Sequence, residues 1–131
     1  MVRRLPQLAG LVILAAIAAS ASAQSYPTRP VRLLVPFGPG GVGDITARVV
    51  AQKIGASLGQ QIVVDNRPGA GGIVASEIVA KAAPDGYTLL LLNNAHAVSM
   101  SLFKSLPYDT LRDFAPVSSI ATFSIVLLVN A

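Results

Sequence analysis

The stretch "LLVPFGPGGVGDITARVV", residues 33–50, decides the fold, because a strand pattern runs through a glycine-rich turn into a helix pattern. Val31–Phe37 is mostly apolar, which indicates a buried strand. Asp44–Leu58 has the spacing of an amphipathic helix, and we expect Asp44 to be its N-cap and Gly59 to end it in a left-handed conformation. The apolar stripe of this helix consists of Ala47, Val50, Ala51, Ile54 and Leu58.

Strands and helices alternate along the rest of the chain. The predicted elements are a strand at Gln61–Asn66, a helix from the turn Arg67–Gly72 to about Ala83, a strand at Tyr87–Asn94, a weaker helix at Val98–Leu106 and a strand at Thr122–Asn130. This order predicts an α/β fold with an open, mostly parallel sheet and flanking helices.

The first 23 residues are typical of an export signal. Arg3 and Arg4 precede an apolar run, Leu8–Ala19, and Ala21–Ala23 has the small-residue spacing of a cleavage site. The run is shorter than the ~20 apolar residues of a membrane-spanning helix, so we expect cleavage and a periplasmic location. Loss of the two arginines lowers the formal net charge from +4 to +2. The remaining basic residues are scattered, which argues against a nucleic-acid partner.

Gly38, Gly40 and Gly43 form the G-x-G-x-x-G spacing of a dinucleotide-binding turn. Asp65 lies 22 residues beyond Gly43, where an acid that binds ribose is expected. The export signal and the negative charge of Asp44 at the helix start argue against this interpretation. A fragment of a Rossmann-type oxidoreductase is therefore kept as the alternative.

A second glycine-rich turn, "RPGAGG", favours a different anion. Each turn follows a predicted strand and opens a helix, so both belong at the carboxyl edge of one parallel sheet, where ligands of such sheets bind. Glycines let backbone N–H groups approach an anion closely, and helix N-termini add partial positive charge. No lysine stands where a phosphate-binding loop needs one, so the two turns predict a site for a small carboxylate.

The chain shows no catalytic constellation. His96 is the only histidine, there is no cysteine, and no G-x-S-x-G motif or recognisable carboxylate pair is present. We therefore expect no catalytic residue, no metal site and no cofactor.

Four segments, "YPTRPVRLLVPFGPGGVGDITAR", "VVDNRPGAGG", "AKAAPDGYTLL" and "LPYDTLRDFAPVS", resemble the Bug-type receptors of tripartite tricarboxylate transporters. The resemblance implies a periplasmic type II binding protein of Venus-flytrap shape. It also implies a small carboxylate ligand and, as partners, the membrane permease subunits of the transporter. The chain is expected to be an incomplete N-terminal lobe, residues 24–131, without the second lobe, and therefore to bind weakly or not at all when alone. A third interpretation is an interaction module that offers its uncovered last strand to a partner.

The same resemblance implies which residues contact the ligand. In the first motif they are Phe37, Gly40, Gly41 and Asp44. In the second motif they are Ala70, Gly71 and Gly72. Asn94 and His96, in the loop expected after the third strand, are the variable contacts. Arg67 either pairs with a ligand carboxylate or points to solvent.

Overall fold

The computed structural model of the protein describes residues 26–122. The elements are strand β1 (Val31–Val35), helix α1 (Val42–Leu58), strand β2 (Ile62–Asn66), a short helical turn (Ala70–Gly72), helix α2 (Ile73–Ala80), strand β3 (Thr88–Leu90) and helix α3 (Asn94–Leu102). None of the helices within residues 26–122 combines the length and the hydropathy that crossing a bilayer requires.

The three strands form one parallel sheet in the order β2-β1-β3. β1 pairs with β2 from Val31 opposite Ile62 to Val35 opposite Asn66. It pairs with β3 over the shorter stretch Arg32–Leu34. Parallel strands joined by helices require crossover connections, and the alternation in the sequence predicted this α/β sheet.

The core lies between β1 and α1. Leu33, Val35 and Ala47 are buried, and five half-buried side chains pack around them, namely Phe37, Ile62, Val64, Leu89 and Leu91. Small residues let α1 approach the sheet closely. The predicted stripe of α1 is therefore buried at Ala47 and Ala51 but is exposed at its far end, by 43% at Ile54 and 40% at Leu58.

Several predicted bounds were wrong. β1 stops at Val35, because Pro36 follows it and has no N–H to continue the ladder. α2 ends at Ala80 rather than near Ala83. The largest error is the third helix, which begins at Asn94, the last residue of the predicted strand, and not at Val98. β3 itself covers only Thr88–Leu90. The predicted fourth strand beyond Thr122 and the expected signal segment lie outside the described residues.

The segment before β1 is fastened to the turn before β3, at the amino ends of the strands. The ring of Tyr26 meets that of Tyr87 edge-on at 5.1 Å, and its hydroxyl donates to the Gly86 carbonyl at 2.6 Å. Arg29 pairs with Asp85 at 2.9 Å, and its guanidinium lies 4.1 Å from the Tyr87 ring centroid. These contacts, which we call the amino-end staple, hold the segments "YPTRP" and "PDGY" against each other.

Candidate ligand-binding site

The two glycine-rich turns leave the same edge of the sheet. The first turn, residues 36–41, joins β1 to α1, and the second turn, residues 67–72, joins β2 to α2. The strands are parallel, and their last residues, Val35 and Asn66, are partners in the ladder. The N–H of Arg67 also donates to the Val35 carbonyl at 2.8 Å, so the two turns start side by side.

The second turn meets the first turn and α3 at Gly72. A Cβ placed on Gly72 would lie 3.2 Å from the Cβ of Pro36 and 2.9 Å from Nε2 of His96. Three segments therefore touch at this point, which we call the Gly72 junction. The predicted placement of both turns at one sheet edge is found in the structure.

The backbone of the second turn is left-handed over three consecutive residues. The φ angles are +45° at Ala70, +66° at Gly71 and +97° at Gly72. The N–H of Gly72 donates to the Gly69 carbonyl at 2.9 Å, and α2 begins at Ile73. Residues without a Cβ adopt positive φ readily, which accounts for two of the three positions. Ala70 is the exception and stores strain beside the site.

Asp44 is the centre of a hydrogen-bond network beneath the first turn. The expectation that it is the N-cap of α1 was wrong, because Gly41 holds that position and Asp44 lies in the first turn of the helix. Its carboxylate accepts from Nε of Arg48 at 3.0 Å and from the N–H of Gly40 at 2.9 Å. It also accepts from Nδ2 of Asn66 at 2.8 Å. We call Asp44, Arg48, Asn66 and the Gly40 N–H the Asp44 network.

The network keeps Asp44 ionised. The hydrogen bond from Arg48, followed by those from Gly40 and Asn66, holds the pKa of the Asp44 carboxyl far below its usual range. The same pairing raises the pKa of Arg48. The negative charge of Asp44, which would repel an anion near this turn, is therefore balanced by the positive charge of Arg48.

Phe37 covers the start of α1 from the first turn. A Cβ at Gly43 would lie 2.5 Å from Cδ2 of Phe37, so only glycine allows the ring this close to the helix. The last glycine of the G-x-G-x-x-G spacing thus serves packing between the turn and the helix.

α3 begins with a cap that sequence reasoning missed. Asn93 is the N-cap, and its side chain accepts from the N–H of Ala95 at 3.1 Å. The Asn93 N–H donates to Nδ1 of His96 at 3.3 Å, which closes a reciprocal cap three residues apart. Asparagine is a preferred N-cap residue, so the sequence alone could have suggested a helix start at Asn93. The expectation that Asn94 and His96 lie in a loop was therefore wrong.

His96 is buried at the Gly72 junction, with 2% of its surface exposed. Its Nε2 has no hydrogen-bond partner among residues 26–122. Burial lowers the pKa of His96, and the Asn93 backbone offsets this only in part. The imidazole is therefore neutral at pH 7, and one of its ring nitrogens is left unused beside both turns.

The predicted site residues divide by exposure. The exposed ones are Gly40, Gly41, Ala70, Gly71 and Asn94. Phe37 is half-buried, whereas Asp44, Gly72 and His96 are buried. The first group lies at the surface of the turns, and the second group lies beneath that surface.

Asp65 and Arg67 pair with each other, and the Arg67 side chain remains half-exposed. Nε of Arg67 lies 3.0 Å from Oδ1 of Asp65, whose other oxygen accepts from Nε of Arg32 at 2.9 Å. Arg32, and to a lesser extent Arg67, lower the pKa of Asp65 despite its partial burial. Because two guanidiniums occupy this carboxylate, Asp65 is not available to bind ribose hydroxyls.

Two further features bear on the kind of site. Within residues 26–122, no group of three His, Cys, Asp or Glu side chains is arranged to hold a metal ion. An open depression of about 490 Å³ is lined by Pro30–Arg32 and Val63–Asn66, and it includes none of the glycines of the two turns. The candidate site therefore lies outside this depression, at the sheet edge where the exposed backbone of the two turns is found.

The parallel sheet with two glycine-rich turns at its carboxyl edge belongs to the α/β fold of periplasmic binding proteins, to which solved structures of that class are similar. The family model described as "Tripartite tricarboxylate transporter family receptor" matches residues 46–131. The chain belongs to this receptor family, as the four quoted segments predicted.

Named relatives agree with this assignment. BugT of Bordetella pertussis is 46% identical over 132 residues, which cover 99% of this chain and 40% of BugT. Among solved structures, MatC of Rhodopseudomonas palustris, with bound malate, is similar with a TM-score of 0.66 and 42% identity, covering 70% of this chain and 32% of MatC. The periplasmic binding protein BugD has a TM-score of 0.62 and 43% identity, covering 64% and 28% of the two chains.

The comparisons also bear on length and on the alternative function. The chain spans about two fifths of the length of BugT. Membership of a solute-binding receptor family, together with the pairing of Asp65, favours the receptor interpretation over the dinucleotide oxidoreductase.

Proposed function

We propose that residues 24–131 form part of the first lobe of a periplasmic solute-binding receptor that captures a small organic carboxylate. The receptor passes the ligand unchanged to the membrane permease subunits of a tripartite tricarboxylate-type transporter. Residues 1–23 direct export and are removed. The observation that carries the proposal is the Gly72 junction, where both glycine turns and α3 meet at one sheet edge.

The exposed backbone of both turns supplies the contacts in this proposal. The ligand carboxylate approaches Gly41 and the Cα of Gly40, whose N–H is bonded to Asp44, from one side and Ala70 and Gly71 from the other, near the N-termini of α1 and α2. Positive helix ends and close backbone approach favour an anion there. The nearby arginines Arg48 and Arg67 are paired with carboxylates, so neutral donors provide most of the recognition.

Asn94 and His96 contribute selectivity. Asn94 is exposed in the first turn of α3, and His96 keeps an unused nitrogen at the junction. A buried donor or acceptor without a partner costs about 1–3 kcal/mol, so a ligand group or a water that pairs with Nε2 is favoured. Malate, which is bound to the similar MatC, is a reasonable first ligand to test.

The test is an amide-shift titration of the full chain with malate, citrate and a monocarboxylate, using the corresponding malamide as a neutral control. We expect the amides of Gly40, Gly41 and Gly71 to shift with at least one acid and not with malamide. Gly41→Val should abolish the shifts, because it places a branched side chain in the exposed turn.

The matched control is Gly38→Val in the same turn. A Cβ at Gly38 meets nothing within 4 Å, and the residue is exposed, so this variant should bind like the wild type. Equal binding by both variants, or no shift with any acid, would contradict the proposal. The malate spectrum should stay unchanged after long incubation, and the mass of the exported protein should show cleavage after Ala23.

A further inference from the structure

Asn66 connects the two turns through a single side chain. Its Nδ2 donates to the Phe37 carbonyl at 3.0 Å and to Oδ1 of Asp44 at 2.8 Å. Its Oδ1 accepts from Nη2 of Arg48 at 2.9 Å. Asn66 is also the last residue of β2, directly before the second turn. A displacement of Asn66 would therefore move the Phe37 carbonyl of the first turn and the start of the second turn together.

Arg48 closes the network from helix α1. It lies one helical turn after Asp44, reaches the carboxylate through Nε and reaches Asn66 through Nη2. Asp44 is 3% exposed, so without Arg48 a buried carboxylate would lose its charge partner. Although Arg48 itself is half-exposed, its removal is costly because the charge of the buried Asp44 is left uncompensated.

We propose that Arg48 is a positioning residue for carboxylate binding. It holds Asp44 so that the Gly40 N–H stays bonded and the first turn keeps its shape, and with Asn66 it couples that turn to the second. The inference rests on the proposed function of the turns. In this proposal Arg48 acts on the ligand through Asp44 and Asn66, the two side chains that its Nε and Nη2 hold.

The test is a double-mutant cycle with Arg48→Gln, Asp44→Asn and the double variant, each as the full chain. The first readout needs no ligand and is the hydrogen-exchange rate and chemical shift of the Gly40 amide. The second is the malate dissociation constant from the Gly41 amide. Lys81→Gln is the matched control, because it breaks another i,i+4 pair, Lys81–Glu77 at 2.6 Å, away from the turns.

Arg48→Gln should speed exchange at Gly40 and weaken malate binding by about tenfold each, the factor that corresponds to ~1.4 kcal/mol. In the Asp44→Asn background the same change should alter either value by less than about twofold, since residues that act through one another are not additive. Arg48→Lys should behave like Arg48→Gln, because one ammonium cannot bridge Asp44 and Asn66 as the guanidinium fork does. Lys81→Gln should change neither value.

Two results would overturn the inference. An effect of Arg48→Gln on malate binding that persists in full in the Asp44→Asn background would show direct contact with the ligand. If the exchange rate and the chemical shift of the Gly40 amide are unchanged in folded Arg48→Gln, Arg48 does not hold the turn. If Arg48→Gln does not fold, the same measurement on Arg48→Lys decides. If no carboxylate binds the wild type, the proposed function fails, while the Gly40 measurement still decides whether Arg48 positions the turn.

Discussion

The Gly72 junction can be tested by adding a single methyl group. In Gly72→Ala, the new Cβ would lie 2.9 Å from Nε2 of His96, 3.0 Å from its Cε1 and 3.2 Å from the Cβ of Pro36. The imidazole and the proline ring are both rigid, and His96 is 2% exposed, so neither can turn away into solvent. The φ angle of +97° adds a backbone penalty for any residue with a Cβ.

The two costs can be separated with neighbouring glycines. Gly71 has φ +66°, and a Cβ added there would meet nothing within 4 Å, so Gly71→Ala measures the backbone cost alone, about 1 kcal/mol. Gly38 has neither feature, so Gly38→Ala should change the free energy of unfolding by less than about 0.5 kcal/mol. Overpacking typically adds about 1–3 kcal/mol, so Gly72→Ala should cost about 2–4 kcal/mol.

The assay is urea unfolding followed by circular dichroism, with thermal melts as a second measure. At about 4–8 °C for each kcal/mol in a domain of this size, Gly72→Ala should lower Tm by at least about 8 °C. Gly72→Ala should cost less in a His96→Ala background than in the wild type, because the main clash is then absent. If Gly72→Ala is no more destabilising than Gly71→Ala, the three segments do not meet at Gly72 and the reasoning about the site fails.

Two further predictions concern single residues at the junction and the second turn. Because the pKa of His96 is lowered in the folded state, the unfolded chain binds more protons as pH falls below the ordinary value of 6.5. The free energy of unfolding should therefore decrease from pH 7 downward until the folded His96 is itself protonated. His96 is the only histidine, so urea melts of His96→Gln should lose this slope, and an unchanged slope would exclude His96 as its source. Ala70→Gly should stabilise the protein by about 0.5–1 kcal/mol, because φ +45° strains alanine more than the added backbone entropy of glycine costs. A lower urea midpoint in Ala70→Gly would contradict this.

The order of strands and helices could be predicted from the sequence, but several bounds could not. Periodicity identified β1, α1 and β2 because each has a clear apolar pattern closed by glycine or proline. The segment after β3 was misassigned because "LLLLNN" is apolar on consecutive positions, which favours a strand over its whole length. The Asn93 cap starts α3 at Asn94, and a local side-chain bond of this kind outweighs propensity.

The placement of both turns at one sheet edge could be predicted, whereas the partners of the charged residues beside them could not. Parallel strands bring both turns to one edge, so topology alone placed Gly41 and Gly71 together. The partners of Asp44 and Asp65 come from positions far apart in sequence, such as Asn66 for the first and Arg32 for the second. No periodic pattern encodes such pairings. Asp44 therefore looked like a helix cap, and Asp65 like a ribose ligand.

The segments that carry the family resemblance serve two different physical purposes. Tyr26, Arg29 and Tyr87 form the staple at the amino ends of the strands, whereas the glycine turns lie at the carboxyl ends. A five-residue strand separates the two ends by about 17 Å, so the staple cannot contact a ligand held by the turns. The family resemblance alone does not separate the staple residues from the glycine turns. The direction of the strands separates them, because it places the two at opposite ends of the sheet. Variants in the staple should therefore change stability without changing ligand preference, while variants in the turns can change ligand preference through the backbone they expose.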